Sequence, residues 1–96
     1  MARFRLSSQA EEELDAIWLF VARESGSVEI ATRVVDNIAE RFWLLAGYPH
    51  IGRARDEDLR PGLRSLTADD YVILHRIEEN ELIVILHVVL AALFGH

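Results

Sequence analysis

The chain has 96 residues, 51% of them hydrophobic, a formal net charge of −6 and no cysteine. This much apolar side-chain surface excludes a disordered tail, and the lack of cysteine excludes a disulfide framework and a thiolate zinc site. All ten basic residues are arginine, and because the acidic balance repels phosphate, we expect no direct binding of nucleic acid.

Hydropathy and length predict one cytoplasmic domain over residues 1–96. The start of the chain moves directly into the acidic residues 11–15, without the apolar stretch and small-residue cleavage site of a signal peptide. The longest apolar runs, residues 82–86 and 88–94, are separated by His87 and are too short to span a bilayer. We therefore expect a soluble protein that is neither secreted nor inserted in a membrane.

A short strand is predicted over Arg3–Leu6, followed by a first helix. Ser8 and Glu11 have the spacing of a capping box, which starts a helix. Glu13 is expected to face water in the first turns, and Gly26 ends the helix. Apolar residues recur at intervals of three and four and predict one stripe that faces the core: Leu14, Ile17, Trp18 and Val21.

A second helix is predicted from Ser27, which can cap it, to Gly47, where Tyr48 and Pro49 stop it. Its apolar positions also recur every three or four residues: Ile30, Val34, Ile38, Phe42 and Leu45. Because the connection between the helices is short, they should be antiparallel. Both tryptophans occupy helical positions and are interpreted as core or helix-edge aromatic residues.

Three further strands are predicted over Leu63–Leu66, Tyr71–Ile77 and Leu82–Leu90, which are rich in isoleucine, valine and leucine. The pair Glu79–Asn80 suits a two-residue hairpin turn between the last two strands. The predicted fold is therefore α+β with the order β-α-α-β-β-β. A two-helix hairpin packs on a small, mainly antiparallel sheet.

A two-residue turn would place Tyr71 opposite Val88 and Val72 opposite His87. In this register one sheet face would meet the helices with Tyr71, Ile73, His75, Ile77, Leu82, Val84, Leu86 and Val88. The other face would carry Val72, Leu74, Ile83, Ile85 and Val89, with only Arg76 and His87 as polar residues. Because a solvated sheet face normally alternates with polar residues, we expect this second face to bind a partner chain.

Four segments carry a family resemblance. They begin at Arg5 (RLSSQAEEELDAIW), Leu44 (LLAGYPHIGR), Leu59 (LRPGLRSL) and Tyr71 (YVILHR). In this order, and on these predicted elements, they resemble the ParE-type toxins of the ParE/RelE toxin–antitoxin superfamily. The resemblance extends from residue 3 to about residue 88.

The resemblance implies a small α/β toxin that a cognate ParD-like antitoxin wraps and neutralises, in a hetero-oligomer. It also implies that the target is DNA gyrase, inhibited by protein–protein binding and without catalysis. The RelE branch implies the alternative of a ribosome-dependent messenger RNA endonuclease. The family usually ends its last strand with a basic segment, whereas residues 90–94 are Leu-Ala-Ala-Leu-Phe here. An inactive homologue that is retained for antitoxin binding is therefore a third hypothesis.

Four of the ten arginines, Arg53, Arg55, Arg60 and Arg64, lie within twelve residues, with three carboxylates at positions 56–58 among them. This pattern is typical of a self-paired surface loop, of a surface that recognises an acidic partner, or of a phosphate site. We expect Arg60 and Arg64 to be exposed, so that their substitution weakens partner binding while folding stays nearly intact.

Catalysis of RNA cleavage would need a base, an acid and cations that converge on one phosphate. In the predicted register His75 and His87 project from opposite faces of the sheet, so they cannot act together or share a metal ion. The tail over residues 88–94 is expected either to dock an antitoxin or a second copy, or to pack against the chain's own helices.

We thus predict no catalytic residue, no metal ligand and no cofactor. The residues predicted to bind the antitoxin or the target are Arg53, Arg55, Arg60, Arg64, Arg76, His87, Val89, Leu90, Leu93 and Phe94.

Overall fold

Two long helices and a five-stranded sheet form the fold in the computed structural model, which describes residues 3–94. The sheet order is β1-β5-β4-β3-β2, in which β1 is parallel to β5 and every other pair is antiparallel. The helices are α1 (Ser8–Ser25), α2 (Val28–Gly47) and the short α3 (Ala91–Phe94). The strands are β1 (Phe4–Leu6), β2 (Arg53–Ala54), β3 (Arg64–Ala68), β4 (Tyr71–Ile77) and β5 (Ile83–Leu90).

This architecture confirms the α+β fold that the sequence predicts. The order β-α-α-β-β-β is present, with β2 and α3 as two additional elements. A strand of two residues and a helix of four are too short for their periodicity to be recognised in a sequence. None of the helices within residues 3–94 combines the length and apolar character needed to cross a membrane.

Ser7 joins the start of α1 to β5. Its hydroxyl accepts a hydrogen bond from the Ala10 amide at 3.0 Å and donates one to the Leu86 carbonyl at 2.8 Å. The Ser7 amide donates to the Ile85 carbonyl at 2.9 Å. The helix cap is therefore Ser7, one residue before the predicted capping box at Ser8. The predicted end at Gly26 is confirmed, because that glycine adopts a left-handed φ of 69°.

The core lies between the helical hairpin and one face of the sheet, here called the helix face. The helices contribute Ala10, Ile38, Phe42 and Leu45. The strands contribute Ala68, Tyr71, Ile73, Ile83, Ile85 and Val88. Several isoleucines in this core are fully buried, and each fully buried aliphatic side chain stabilises the fold by about 1.5–3 kcal/mol.

The pairing of β4 with β5 differs from the predicted register. Tyr71 lies opposite Leu90 and Leu74 opposite His87, but His75 lies opposite Ile85, so Leu86 is an extra residue in β5. The connection is a three-residue turn over residues 79–81 and not a two-residue hairpin. Three residues fit there because Asn80 and Glu81 both adopt positive φ values.

The bulge at Leu86 changes which residues meet the helices. Before it, Ile83 and Ile85 are on the helix face, and after it Val88 is on the same face. The prediction that Val84 and Leu86 face the helices is therefore wrong. The opposite face, here called the outer face, carries Val72, Leu74, Val84, Leu86, His87 and Val89. Both faces of the sheet are nevertheless largely apolar, as predicted.

Glu13 covers the edge of β5 beyond the end of β1. One carboxylate oxygen accepts the Val88 amide at 2.8 Å, and the other lies 3.2 Å from Nδ1 of His87. Since β1 ends at Leu6, the Val88 amide has no neighbouring strand on this side. The expectation that Glu13 faces water is thus wrong, and its carboxylate replaces the missing strand as a hydrogen-bond acceptor.

The loop after α2 packs tightly on the sheet at Gly52. A Cβ atom at this position would lie 2.8 Å from the Ser65 carbonyl oxygen and 2.9 Å from Cε1 of His75. Nη2 of Arg64 donates hydrogen bonds to the carbonyls of His50 (3.2 Å) and Gly52 (2.7 Å). Only glycine permits such a close approach without displacing its neighbours.

Arg64 is thereby a structural side chain. Its Nε is buried without a hydrogen-bond partner among the described residues, and its Nη2 fastens the loop. The expectation that Arg64 is an exposed charge is therefore wrong. Because its guanidinium holds the loop, we now expect its substitution to lower the stability of the fold.

His75 is completely buried beneath this loop. Burial lowers the pKa of His75 from 6.5 to about 4, the Ile73 carbonyl opposes this shift, and the nearby positive charge of Arg64 adds to it. The imidazole is therefore neutral in the folded protein at neutral pH.

Replacing Glu13 by alanine should destabilise the fold by about 1–3 kcal/mol, because the Val88 amide is left without an acceptor. Urea unfolding followed by circular dichroism measures this loss. Glu12→Ala is the matched control on the same helix, and its free energy of unfolding should change by less than about 0.5 kcal/mol. Equal losses in the two variants would contradict the role assigned to Glu13.

The stability of the protein should decrease on acidification because of His75. The His75 imidazole has a pKa of 6.5 in the unfolded chain and of about 4 in the folded chain. The free energy of unfolding therefore has its full value above pH 6.5 and decreases as the pH falls toward 4, because only the unfolded chain then binds the proton readily. Between pH 7 and 5 we expect a loss of roughly 2 kcal/mol. Urea midpoints of His75→Gln should show a weaker pH dependence, whereas those of His87→Gln should keep it. An unchanged slope in His75→Gln would refute this assignment.

Candidate partner-binding face

A groove crosses the outer face of the sheet as three adjoining depressions of about 300, 330 and 220 Å³. The first two share Asp58 and Phe94, and the second and third share Arg60 and Leu63. Side chains of Val72, Leu74 and Leu86 line its floor from the strands. The groove is therefore bounded by the polar loop of residues 53–63 on one side and by α3 at one end.

Arg55 forms hydrogen bonds with two other residues that line the first depression, Asp58 and Ser65. Its Nε donates to both carboxylate oxygens of Asp58, at 3.1 and 2.9 Å, and its Nη1 donates to the Ser65 hydroxyl at 3.1 Å. The side chain is only 12% exposed. Its guanidinium carbon also lies 4.9 Å from the ring centre of Phe94, a cation–π contact.

The pairing of Arg55 with Asp58 fixes both charges. Hydrogen bonds from the Arg55 guanidinium hold the pKa of the Asp58 carboxyl below its ordinary value, with desolvation opposing this shift. The same bonds raise the pKa of Arg55. The interpretation of this segment as a self-paired loop is thus confirmed for one arginine, which is not available to a partner unless Asp58 is displaced.

The C-terminal tail folds back over the chain's own sheet. Ala91 and Phe94 line the first depression, and the Ala91 amide donates to the Asp70 carbonyl at 2.8 Å. The alternative that the tail packs against the chain's own helices holds for Val88, which lies in the core, and is wrong for Phe94, which lies on the outer face. Leu93 projects from the same short helix into solvent and is 80% exposed, which leaves an apolar side chain for a partner to cover.

Two arginines remain exposed at the rim of the groove. Arg53 and Arg60 form no ion pair with another residue in the 3–94 range. Arg76, at the third depression, is instead paired with Glu78 at 2.6 Å. The free positive charges of the groove therefore lie along the loop, where they can contact carboxylates of a bound chain.

The structure brings most of the predicted binding residues to one face. Two predicted residues, Arg64 and Leu90, lie on the helix face and do not line the groove. Arg64 lies opposite His75 and Leu90 opposite Tyr71. Leu93 lies beside the groove but points outward. The predicted residues that share the outer face are Arg53, Arg55, Arg60, Arg76, His87, Val89 and Phe94.

Sequence reasoning missed the apolar wall of the groove. Leu59 and Leu63 flank the Pro61–Gly62 turn and line the second depression. Two leucines in an otherwise charged loop are the available signal, since polar loops seldom carry large apolar side chains without packing them.

The two strand histidines do not converge on one site. His75 is buried under Gly52 on the helix face, whereas His87 lies on the outer face and contacts Glu13. Within the described part of the chain, residues 3–94, no group of three metal-binding side chains is present. An apolar floor with arginines at its rim is suited to bind an amphipathic protein segment that carries carboxylates.

Comparisons with known proteins show the family of the chain. The sequence model of the family described as ParE toxin of type II toxin-antitoxin system, parDE, matches residues 4–92. Toxin ParE1 of Caulobacter vibrioides is 32% identical over 88 residues, 91% of this chain and 90% of that protein. Toxin ParE3 of the same organism is 28% identical over 85 residues, 88% of this chain and 83% of that protein. Toxin ParE1 of Mycobacterium tuberculosis is 33% identical over 76 residues, 79% and 76% of the two chains.

Solved structures show the same fold. A structure described as the chromosomal ParDE TA system from P. aeruginosa superposes with a TM-score of 0.79 at 26% identity, over 94% of this chain and 96% of that chain. The toxin-antitoxin complex RelBE2 from Mycobacterium tuberculosis superposes with a TM-score of 0.64 at 23% identity, over 93% and 96% of the two chains, and this likeness shows the fold alone. With a family match over nearly its whole length, the chain belongs to the ParE toxins of type II toxin–antitoxin systems.

Proposed function

We propose that this toxin acts in the cytoplasm, that a ParD-like antitoxin neutralises it by binding the outer face, and that its target is DNA gyrase. Inhibition occurs by protein–protein binding, and the chain catalyses no reaction. The observation that carries the antitoxin site is the groove on the outer face, with exposed Leu93 at its end and free Arg53 and Arg60 at its rim.

The chemistry of the groove supports an antitoxin segment with apolar and acidic residues. Its floor consists of strand side chains that are already partly covered by Phe94, so a partner gains further apolar burial by contacting Leu93 and Leu59, both exposed. The arginines at the rim favour carboxylates and disfavour a basic segment. A structural relative is described as a ParDE system, which supports an antitoxin of the ParD type.

The histidine geometry supports a non-catalytic mechanism. Ribonucleases of the RelE kind need proton donors and acceptors that converge on a phosphate, whereas His75 is inaccessible and His87 contacts Glu13. The acidic net charge of −6 further weakens attraction to RNA. Gyrase is assigned through membership of the ParE family.

Leu93→Glu and Arg60→Glu should each weaken antitoxin binding by about tenfold or more, because one removes apolar burial and the other reverses a rim charge. Isothermal titration with the cognate antitoxin gives the Kd. Matched controls on α1, Phe20→Glu and Arg23→Glu, change the same properties far from the groove and should keep the Kd within about twofold. Equal weakening in all four variants would contradict an antitoxin site on the outer face.

Purified toxin should inhibit supercoiling by DNA gyrase and should not cleave messenger RNA on translating ribosomes. Both assays use the wild-type chain released from its antitoxin, with the reconstituted complex as the neutralised control. Codon-associated cleavage would overturn the non-catalytic mechanism and favour the RelE-like alternative. Activity in neither assay, with antitoxin binding retained, would favour an inactive homologue, and arginine at position 93 (Leu93→Arg) would then test whether the apolar tail is the cause.

A further inference from the structure

The outer edge of β1 is a second surface with unpaired backbone groups. Among residues 3–94, β1 lies at the end of the sheet and pairs with no strand other than β5. The Arg3 carbonyl accepts the Ile83 amide and the Ser7 amide donates to the Ile85 carbonyl, so the odd-numbered residues bond toward β5. In an extended strand, the alternate residues Phe4 and Leu6 direct their amides and carbonyls to the opposite side, which is the open edge.

An exposed aromatic side chain lies beside this edge. Trp43 on α2 is 64% exposed and meets the ring of Phe4 edge-on, with 4.7 Å between ring centres. Phe4 is in turn anchored in the core by Phe42, at 5.6 Å between ring centres. An indole this exposed, held in place by a second ring, has the geometry of an interface anchor and not that of a core residue.

A depression of about 410 Å³ lies next to these rings. The residues that line it are here called the edge patch: Arg3, Phe4, Arg5, Trp43 and Leu82. The patch thus combines open backbone groups, two aromatic rings in edge-to-face contact, and one arginine within β1 and one just before it.

The arginines of the edge patch favour an acidic ligand. Arg3 is exposed, and Arg5 is 55% exposed and, within the part of the chain that the structure describes, forms one long ionic contact, to Glu78 at 3.6 Å. Glu78 is held more closely by Arg76, at 2.6 Å, so it neutralises Arg5 only in part. The residues that line the patch include two arginines and no carboxylate, so the patch itself attracts carboxylates.

We infer that the edge patch binds an extended acidic segment of a partner protein, which adds to the sheet as a strand beside β1. Strand side chains alternate between the two faces. On the outer face, the side chains of the added strand that lie beside Arg5 would be acidic. On the helix face, the side chains that lie beside Phe4 would be apolar and would reach Trp43. The ligand is therefore a segment in which acidic and apolar residues alternate.

A second copy of this chain is a poorer occupant of the same edge. Pairing two β1 edges would bring Arg3 and Arg5 of both copies together, and like charges on adjacent strands are destabilising. An acidic segment makes the same backbone hydrogen bonds and also neutralises these arginines. The inference is independent of the antitoxin site on the outer face, since the edge patch shares no residue with the groove.

A blocked, fluorescein-labelled hexapeptide of alternating glutamate and valine is the probe, with the full-length chain as the receptor. Fluorescence anisotropy measures binding, and a hexapeptide of alternating lysine and valine is the charge control. A third peptide has the glutamate–valine sequence with every second backbone nitrogen methylated, which removes the amides needed for strand pairing. We expect saturable binding of the first peptide and at least about tenfold weaker binding of the other two.

Variants locate the binding site. Trp43→Ser and Arg3→Glu should weaken binding of the acidic peptide by about tenfold, and Arg3→Glu should improve binding of the lysine peptide. Phe20→Ser and Arg23→Glu, in the C-terminal half of α1 and outside the edge patch, are the matched controls and should have no effect. Because the methylated peptide tests the wild-type chain, the result does not depend on whether a variant folds.

Several results would overturn the inference: no saturable binding, equal binding of the acidic and lysine peptides, or undiminished binding of the methylated peptide. A concentration-dependent dimer in sedimentation, lost in Trp43→Ser, would also overturn it, because a second copy would then occupy the edge. The groove variants Arg60→Glu and Leu93→Glu should bind the acidic peptide normally. Failure of the antitoxin site and failure of the edge patch are therefore separate outcomes.

Discussion

The extra residue in β5 is the constraint on which the rest of the sheet depends. Without Leu86 as a bulge, the strand could not present Ile83, Ile85 and Val88 to the same helices, because a regular strand alternates without interruption. The bulge also turns the Val88 amide toward α1, where Glu13 accepts it. One irregular residue thus sets the composition of the core, the apolar character of the outer face and the attachment of the first helix.

Several residues that carry the family resemblance stabilise the fold. Gly52 permits the loop to contact the sheet, Arg64 fastens that loop through its carbonyls, and His75 fills the space beneath it. A charged residue, a titratable residue and a glycine close together could suggest a catalytic site. Their close packing instead shows that this part of the motif stabilises the contact between the loop and the sheet.

The sequence predicted the elements well and the register poorly. Periodicity and capping residues located both long helices, and the run Tyr71–Ile77 was predicted with its observed bounds. A bulge has no sequence pattern of its own, since Leu86 is one more leucine in an apolar run, and the faces of β5 were therefore assigned incorrectly. Arg64 could not be distinguished from Arg60, because an arginine that binds backbone carbonyls and one that faces water have the same local sequence context.

Arg55 contacts three chemically different groups at once: a carboxylate, a hydroxyl and an aromatic ring. A planar guanidinium can satisfy all three, whereas the compact ammonium of lysine cannot stack on the ring and bind the carboxylate in a fork. The contacts at positions 55, 58 and 94 are therefore coupled, because all of them meet at one guanidinium group. Loss of the ring at position 94 would leave the hydrogen bonds of Arg55 to Asp58 and Ser65 but would expose one face of the guanidinium to water.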